Sequence, residues 1–340
     1  MFKKKRTIIA IATILFLILI ISAVFVFKQR VQKISEQPNQ QHLQGNREEK
    51  NFEPEDGPLT LVSTGDIGLV RDVNAKALEA KDPNLPFANI ASYLKDADLT
   101  ITNLEGPLIN NCPLILTGFK FCGEDVNVKG LTSAGIDAAS LANNHATNYG
   151  LDGLTQTAQI LKSNGVVPFG LANDIEYFET KGKKIALLGF VELGNNWPGL
   201  ENATGENVAK QISLADKQSD IVIAAFHWGV EYTYKPTENQ IALAHTAIDN
   251  GADLVLGNHP HWIQENEIYK GKFITYAQGN TIFDQDWSQE TREGVLYKFE
   301  FNNGTFQKVD EQYTIIENNF QPRFANEAET QKIKQKISGL

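Results

Sequence analysis

Residues 254–261, LVLGNHPH, place a pair of histidines directly after a short apolar run. The run Leu254–Leu256 has the length and composition of a strand buried inside a sheet, and a glycine follows it. His259 and His261 come next and are separated by a single proline. Such a pair can bind a metal ion, but it can also lie in an ordinary turn, so its meaning depends on the rest of the chain.

Four other predicted strands end in the same way, with an acid, an amide or an imidazole just past the carboxyl end. They are Leu59–Ser63 followed by Asp66, Leu99–Thr102 followed by Glu105, Ala138–Leu141 followed by Asn143, Asn144 and His145, and Ile221–Phe226 followed by His227. Sites in open α/β sheets form at this edge, and the packing of buried strands does not require polar residues there. The five segments hold four of the six histidines, so we expect them to form one site.

Helical and strand patterns alternate through the rest of the chain, which indicates an α/β fold. The other predicted strands are Val166–Phe169, Ile185–Phe190 and Phe273–Tyr276, with a hairpin of Val295–Phe301 and Gln307–Ile316, and the predicted helices are Phe87–Lys95, Asp152–Ser163, Asn207–Gln218 and Glu238–Asp249. Thr237 and Gln240 have the spacing of a capping box at the start of the last helix. His245 lies on the apolar stripe of that helix, so we expect a structural histidine there rather than a ligand.

The order of the motifs resembles that of the calcineurin-like metallophosphoesterases and, more specifically, of the CapA-type poly-γ-glutamate capsule synthesis proteins. The segments that carry the resemblance are GDIGLVRD, TNLEGPL, SLANNHATNYGLDGL, FHWGVEY, GADLVLGNHPHWIQ and YAQGNTIFDQ, and it extends from Leu59 to Phe301. The resemblance implies a four-layer α/β/β/α sandwich of the metallophosphoesterase type. We therefore predict one folded domain over residues 59–320 and a C-terminal tail over residues 321–340.

The candidate ligands combine carboxylates, an amide and imidazoles, a set that suits Mn²⁺, iron or Zn²⁺ better than Ca²⁺ or Mg²⁺. Their number exceeds the needs of one tetrahedral ion, so we expect one or two divalent metal ions, as in two-metal hydrolases. The resemblance also implies that His145 stands beside the substrate as a general acid or transition-state stabiliser. It implies two ligand sets that share one carboxylate: Asp66, Glu105 and His261 for one ion, and Glu105, Asn144, His227 and His259 for the other.

Two positions depart from the broader metallophosphoesterase pattern. Gly68 stands where that pattern has a histidine, and the shared carboxylate is Glu105 where an aspartate is usual. Both changes look typical of the capsule family, and they make phosphatase activity a weaker expectation than metal binding. Trp228 and Asn280 could also serve packing and a turn. The candidates for the lining of the pocket are Asn143, Trp228, Glu231, Asn280 and Asp284.

The N-terminal region has the pattern of a membrane anchor. Thr7–Phe27 is an uncharged apolar run, and at about 20 residues it is long enough to cross a bilayer. Its length and bulky end favour an uncleaved anchor over a cleaved signal peptide. Basic residues flank both ends of the run, but those before it favour a cytoplasmic tip over residues 1–6 and an extracytoplasmic C-terminal domain. Residues 28–58 are polar and predict a flexible stalk, so we expect a single-pass protein of the cell membrane.

The charge of the chain is distributed unevenly. Seven of the 31 basic residues and none of the 41 acidic residues lie within residues 1–33, so the remainder has a formal charge of −17. Such a domain lacks the basic surface that non-specific nucleic-acid binding needs, and we expect no nucleic-acid partner.

The two cysteines, Cys112 and Cys122, fit neither a redox CxxC motif nor a zinc ribbon. Outside the cytoplasm a disulfide between them is the natural pairing, and two free thiols are the alternative.

The sequence leaves three hypotheses for the function. The first is a metal-dependent hydrolase or accessory domain in the synthesis or export of a capsule or exopolymer, for which the resemblance implies poly-γ-glutamate. The second is a non-catalytic scaffold that binds an anionic polymer and gathers other capsule synthase subunits at the membrane. The third is a phosphoesterase or nucleotidase on the outer side, since the acidic surface disfavours a nuclease but permits small nucleotides.

Overall fold

The computed structural model describes residues 57–194 and 196–339. The predicted cytoplasmic tip, the membrane anchor and nearly all of the stalk lie outside these residues. Within the described ranges, no helix combines the length and the apolar character needed to cross a membrane. The anchor at residues 7–27 therefore stays a prediction.

Strands and helices alternate along the described chain. The strands are β1 (Leu59–Ile67), β2 (Leu99–Leu104), β3 (Leu108–Ile109), β4 (Gly123–Glu124), β5 (Ala138–Ser140), β6 (Val167–Phe169), β7 (Glu176–Thr180), β8 (Lys183–Glu192), β9 (Ile221–Trp228), β10 (Leu254–Asn258), β11 (Asn266–Tyr269), β12 (Lys272–Thr275), β13 (Asn280–Ile282), β14 (Glu293–Asn302), β15 (Thr305–Glu317) and β16 (Gln321–Phe324). The helices are α1 (Arg71–Ala80), α2 (Ala91–Leu94), α3 (Val128–Ala134), α4 (Gly150–Ser163), α5 (Gly205–Asp216), α6 (Glu238–Asp249) and α7 (Glu327–Ser338).

Most of the strands belong to two sheets whose central strands are parallel. The first sheet has the order β16-β15-β14-β1-β2-β5-β6, and β13 also pairs with β1. The second has the order β11-β12-β10-β9-β8-β7. Strands β1, β2, β5 and β6 run parallel in the first sheet, as do β12, β10, β9 and β8 in the second. Parallel neighbours end at the same edge of a sheet, so each sheet gathers its polar strand ends at one edge.

Three apolar clusters set the order of the layers. Leu61 of the first sheet and Ile223 of the second belong to one buried cluster, so the two sheets pack face to face. Val62, the next residue along β1, points the other way and packs with side chains of α3 and α4. Leu188 on the outer face of the second sheet packs with side chains of α5 and α6. Helices thus cover both outer faces, and the predicted α/β class is confirmed.

The sequence predicts the bounds of one helix correctly and those of another incorrectly. The helix α6 begins and ends where the sequence predicts, with a capping box formed by Thr237 and Gln240. The predicted helix Phe87–Lys95 is instead a 3-10 turn followed by the short helix α2. Ile90 and Leu94 still lie in one buried cluster, so their apolar spacing is satisfied without a continuous helix.

Residues 321–340 were expected to form a tail, but the folded domain includes them through Ser338. Strand β16 pairs with β15, and α7 starts with a capping box formed by Asn326 and Glu329. Ile333 is the fully buried side chain of α7 and joins the cluster between the sheets. A helix with a single buried residue shows no periodic apolar pattern, so the sequence of residues 321–340 predicts a tail rather than a packed helix.

Candidate metal centre

The polar residues at the five strand ends meet at one centre, where they connect the two sheets. The side-chain amide of Asn103, in β2, donates a hydrogen bond to Asp66 Oδ1 over 2.7 Å and lies 3.3 Å from His227 Nδ1. The backbone N–H of His259 donates to Asp66 Oδ2 over 3.2 Å. Since His227 and His259 belong to the second sheet and its loops, these contacts join the polar edges of the two sheets.

The histidine pair after β10 has an unusual backbone. The φ angles of His259 and His261 are +98° and +57°, in the left-handed region that side chains with a Cβ rarely adopt. Conformations of this kind cost of order 1–3 kcal/mol each and concentrate at functional sites. Here the turn places both side chains in the buried centre, where His259 is 6% and His261 is 2% exposed.

Glu105 carries the strongest indication of a cation. Its side chain is fully buried, and neither carboxylate oxygen accepts a hydrogen bond from any residue in the part of the chain that the structure describes. Oε1 lies 3.8 Å from Nε2 of both His145 and His261, which is too far for a hydrogen bond. Burial raises the pKa of the Glu105 carboxyl to about 8. A buried carboxylate without donors is costly, and a bound metal ion would remove that cost.

His261 is oriented by a neighbouring amide. Its Nδ1 lies 2.9 Å from Asn280 Oδ1 and 3.4 Å from Asp66 Oδ2. Asn280 is itself fixed, because its amide donates to the backbone oxygen of Thr291 over 2.8 Å. Burial lowers the pKa of His261, but Glu105 and Asp66 outweigh it and raise the value to about 9. With Nδ1 donating to Asn280, Nε2 is the atom that can bind an ion beside Glu105.

Asp66, Glu105 and His261 can hold a divalent metal. One ligand atom from each of them lies within 4.8 Å of the others, and all three side chains are buried. Two carboxylates and an imidazole form a donor set that suits Mn²⁺, iron or Zn²⁺. The structure thus brings together the three residues that the sequence assigned to the first ion.

The residues assigned to the second ion lie next to this group. Asn144 Oδ1 is 2.9 Å from His227 Nε2, and the ring centroids of His227 and His259 are 4.8 Å apart. Burial lowers the pKa of His259 to about 3 and that of His227 well below its ordinary value. The His259 Nδ1 atom is buried and has no hydrogen-bond partner among residues 57–194 and 196–339. A neutral imidazole binds metals through a free ring nitrogen, which His259 has at Nδ1. Both ring nitrogens of His227 contact amide groups, those of Asn103 and Asn144.

His145 stands at the open side of the centre. Its side chain is 13% exposed, and its Nε2 faces Glu105. The ring is stacked on Phe121 with centroids 4.1 Å apart, and Nδ1 lies 3.1 Å from Asn148 Oδ1. Burial lowers the pKa of His145 to about 4, so the ring is neutral near pH 7. This placement fits a residue beside the substrate better than a metal ligand.

A family model described as the bacterial capsule synthesis protein PGA_cap matches residues 60–285. The chain belongs to this family. The resemblance to CapA-type proteins that the motifs indicated is therefore confirmed.

Two relatives with capsule or PGA biosynthesis names are similar to this PGA_cap protein over most of the chain. It is 31% identical over 273 residues to the capsule biosynthesis protein CapA of Bacillus anthracis, a match that covers 74% of this chain and 66%, just under two thirds, of the relative. It is 32% identical over 272 residues to the PGA biosynthesis protein CapA of Bacillus subtilis (strain 168), covering 74% of this chain and 70% of the relative.

Solved structures share the fold of this family member at low sequence identity. A novel phosphatase from Mycoplasma pneumoniae superposes with a TM-score of 0.53 at 14% identity, covering 83% of this chain and 99% of the phosphatase. A hypothetical protein from Thermus thermophilus gives a TM-score of 0.50 at 16% identity, covering 75% and 98% of the two chains. These structures establish a likeness of fold.

In this PGA_cap protein the space beside Gly68, where the broader metallophosphoesterase pattern has a histidine, is filled by Phe283. A Cβ atom added at Gly68 would lie 2.7–2.9 Å from three ring atoms of Phe283. The Phe283 ring packs edge-on against His261, with centroids 5.4 Å apart. Phe283 therefore occupies the space into which a side chain at position 68 would project.

Two of the five predicted lining residues serve other contacts. Trp228 is fully buried in the cluster under α5 and α6, and its indole N–H donates to the backbone oxygen of Tyr276 over 2.7 Å. Asp284 pairs with Arg71, whose Nε lies 2.9 Å from Oδ1. The packing alternative therefore describes Trp228, and the Asp284 carboxylate is engaged by a guanidinium rather than free for a ligand.

The other three predicted lining residues lie in contact with the centre. The Asn143 amide donates to Asn103 Oδ1 over 3.1 Å and so supports the bridge between Asp66 and His227. Asn280 orients His261, as described above. A Glu231 oxygen lies within 4.8 Å of ligand atoms of His259 and His261.

Sequence reasoning did not single out Asn103, Asn148 or Phe121 as parts of the site. Asn103 is a buried amide in a strand whose residues are all buried, and an amide at such a position was the available signal. Phe121 and Asn148 act through long-range contacts: the Phe121 N–H donates to Asn148 Oδ1 over 2.6 Å. Neither has a local pattern that would reveal this role.

The structure also shows the contacts of the two cysteines and of His245. Cys112 and Cys122 are joined as a disulfide, which closes the loop that ends next to Phe121. His245 lies away from the centre on α6. Its Nε2 is 3.0 Å from the Glu267 carboxylate, and its ring is stacked on Tyr269. This agrees with the structural role expected for His245.

Proposed function

We propose that this chain is a membrane-anchored, extracytoplasmic protein of capsule or exopolymer synthesis or export, that the polymer is poly-γ-glutamate, and that the domain acts as a metal-dependent hydrolase. Membership of the PGA_cap family and the CapA relatives support the role in capsule synthesis. The layer order and the phosphatase neighbour support a four-layer α/β/β/α sandwich of the metallophosphoesterase type. The apolar run at residues 7–27 supports the anchor.

The buried Glu105 carboxylate is the observation that carries the metal-dependent part of the proposal. It lies beside Asp66 and His261 and has no hydrogen bond among the described residues to offset its burial. We assign one ion to Asp66, Glu105 and His261, and a second to Asn144, His227 and His259 with Glu105 shared. A bound divalent ion supplies Lewis-acid polarisation and makes a coordinated water more acidic. Mn²⁺, iron and Zn²⁺ all fit this set of donors.

His145 is the residue we assign to proton transfer. Asn148 Oδ1 accepts from the Phe121 N–H, so it also acts as acceptor for Nδ1 of His145, and Nε2 then carries the lone pair that faces the centre. Nε2 can take a proton from the attacking group and return it to the leaving group. Stacking on Phe121 holds the ring in this orientation.

The charge of the domain limits how a polyanion can bind. Residues 34–340 have a formal charge of −17, which repels poly-γ-glutamate over long range. We therefore assign recognition of the polymer or substrate to the metal centre, where bound cations would offset the local carboxylates. The partners that we propose for the rest of the domain are other capsule synthase subunits at the membrane.

A substrate panel tests the catalytic claim. The purified full-length chain, loaded with Mn²⁺, should hydrolyse a phosphodiester, ester or γ-glutamyl amide, and His145→Ala should remove most of that activity. His245→Ala is the matched control, because that histidine is paired with Glu267 away from the centre. Metal binding without turnover of any substrate in the panel would refute the hydrolase assignment.

A non-catalytic scaffold is the second candidate, and the Gly68–Phe283 contact favours it. The contact excludes the further imidazole that metallophosphoesterases usually have, so the ions could serve as a structural link. Complementation of a strain that lacks the gene separates the two candidates. If a His259→Ala/His261→Ala variant loses metal but still supports polymer export, the scaffold is correct. Loss of both favours the hydrolase.

A further inference from the structure

The closure of position 68 raises the question of where another metal donor could come from. Phe283 blocks a side chain at Gly68, so position 68 cannot supply a ligand. The segment that follows β9 also approaches the centre, since the ring centroids of Tyr232 and His261 are 6.3 Å apart. A replacement donor would have to come from this segment or leave the position to solvent.

Glu231 lies on that segment, in a turn with a defined shape. Gly229 and Tyr232 both have positive φ angles, +85° and +63°. The Tyr232 N–H donates to the backbone oxygen of Pro260 over 2.8 Å. Because Pro260 separates the two histidines, this bond fixes Glu231 relative to His259 and His261.

The carboxylate of Glu231 lies close to both histidines, which belong to the two proposed ligand sets. One of its oxygens, one nitrogen of His259 and one nitrogen of His261 all lie within 4.8 Å of one another. The His259 Nδ1 atom is buried without a partner among the described residues, which independently indicates that a ligand is needed here. Glu231 thus adds a carboxylate oxygen beside these imidazoles, and imidazoles and carboxylates are common ligands of catalytic zinc and related ions.

We propose that Glu231 is a metal ligand of this centre and that it supplies the donor that position 68 cannot provide. This inference rests on the proposed metal centre. Glu231 is exposed, whereas the two carboxylates and three histidines of the proposed ligand sets are buried, so it closes the solvent side of the centre. Together with Asp66 and Glu105 it gives three carboxylates. Their negative charges would not fully neutralise two divalent ions, so the centre would keep a small net positive charge. That excess suits an anionic substrate such as a phosphate or a carboxylate.

The surrounding charges agree with a cation at this place. Three mutually repelling carboxylates beside a fully buried centre are stabilised when a divalent ion lies among them.

Metal binding to single-residue variants of the full-length chain tests the inference. Isothermal titration with Mn²⁺ and with Zn²⁺ gives affinity and stoichiometry, and the visible absorption of bound Co²⁺ reports the number and type of ligands. Glu231→Gln removes the charge and keeps the shape. Glu238→Gln is the control, because Glu238 is an exposed glutamate at the start of α6.

For Glu231→Gln we expect either the loss of one ion per chain or an affinity at least about 100-fold lower. The reason is that even residues that merely orient ligands change metal affinity by about 10–100-fold. The Co²⁺ spectrum should change as well, and Glu238→Gln should match the unmodified chain in all three readouts. A purely structural role for Glu231 would leave the Co²⁺ spectrum of the remaining sites unchanged.

Two outcomes overturn the inference and can be told apart. If the unmodified chain binds metal and Glu231→Gln has the same affinity, stoichiometry and spectrum, Glu231 is not a ligand and the metal centre stands. If the unmodified chain binds none of the three ions, while circular dichroism shows it folded, the metal centre fails and the inference fails with it.

Discussion

Replacing Glu105 by glutamine should stabilise the metal-free protein, although the residue is fully buried. The ordinary pKa of the carboxyl is 4.5, and burial raises it to about 8. One pKa unit corresponds to about 1.4 kcal/mol, so at pH 7 the buried group costs about 3 kcal/mol. This value includes the opposing attraction of His261. The amide of the glutamine is itself buried without a partner among the described residues, which offsets part of the gain, so we expect the free energy of unfolding to rise by about 2 kcal/mol.

The sign of this effect depends on pH. Because the folded-state pKa is raised, the penalty is absent below about pH 4.5, where the carboxyl is protonated in both states. It grows as the pH rises and levels off above about 8. The advantage of Glu105→Gln should therefore be small at pH 4.5 and largest at pH 8.

Urea unfolding followed by tryptophan fluorescence, in EDTA and in saturating Mn²⁺, measures the effect. Metal at 100 times its dissociation constant adds about 2.7 kcal/mol to the unmodified chain, and the variant should gain little of this, so the order of stability reverses. Glu201→Gln is the control: this buried glutamate accepts hydrogen bonds from Asn173 and Asn207, and its replacement should destabilise with or without metal. If Glu105→Gln is also destabilising in EDTA, the carboxylate has a structural partner and the reasoning is refuted.

Three further predictions concern the framework around the centre, and the same unfolding assay measures them. Gly68→Ala should lower the free energy of unfolding by about 1–3 kcal/mol, because the new methyl group overlaps the Phe283 ring, and adding Phe283→Leu should recover part of the loss. An unchanged stability would mean that the ring moves aside freely. Replacing Cys112 and Cys122 together by serine should cost about 2–3 kcal/mol, since the bridge closes a short loop. Equal stability of the reduced and oxidised protein would contradict this. Thr237→Ala should cost about 1 kcal/mol through loss of the capping box of α6, whereas Thr237→Ser should be nearly neutral.

The sequence was most informative where chemistry and local pattern coincide. Asp66 and Glu105 each follow a short predicted strand, and the parallel neighbours β1 and β2 bring their ends to a common edge of the first sheet, so their convergence could be expected before any coordinates. The capping box at Thr237 located the start of α6 for a similar reason, since the contact lies within one turn of helix. In both cases the deciding interaction is between residues close in sequence or follows from strand direction alone.

The sequence was least informative where the deciding contact is distant. Trp228 directly follows a ligand, yet it faces α5 and α6, because successive side chains of a strand point to opposite faces. Asp284 is taken up by Arg71, more than two hundred residues earlier in the chain. Phe283 beside Gly68 explains the missing histidine, and no spacing rule could relate those two positions. Such pairings depend on the packing of the whole domain.

The metal content of the purified full-length chain decides whether the five strand ends form a metal centre. After incubation with Mn²⁺, Fe²⁺ or Zn²⁺ and removal of free metal, elemental analysis should find one or two ions per chain for at least one of these metals. Glu105→Gln, which removes the carboxylate shared between the two ligand sets, should lose them, whereas Glu201→Gln should keep them. A folded chain that retains none of the three metals, or that retains them equally well after Glu105→Gln, would contradict the assignment of this centre.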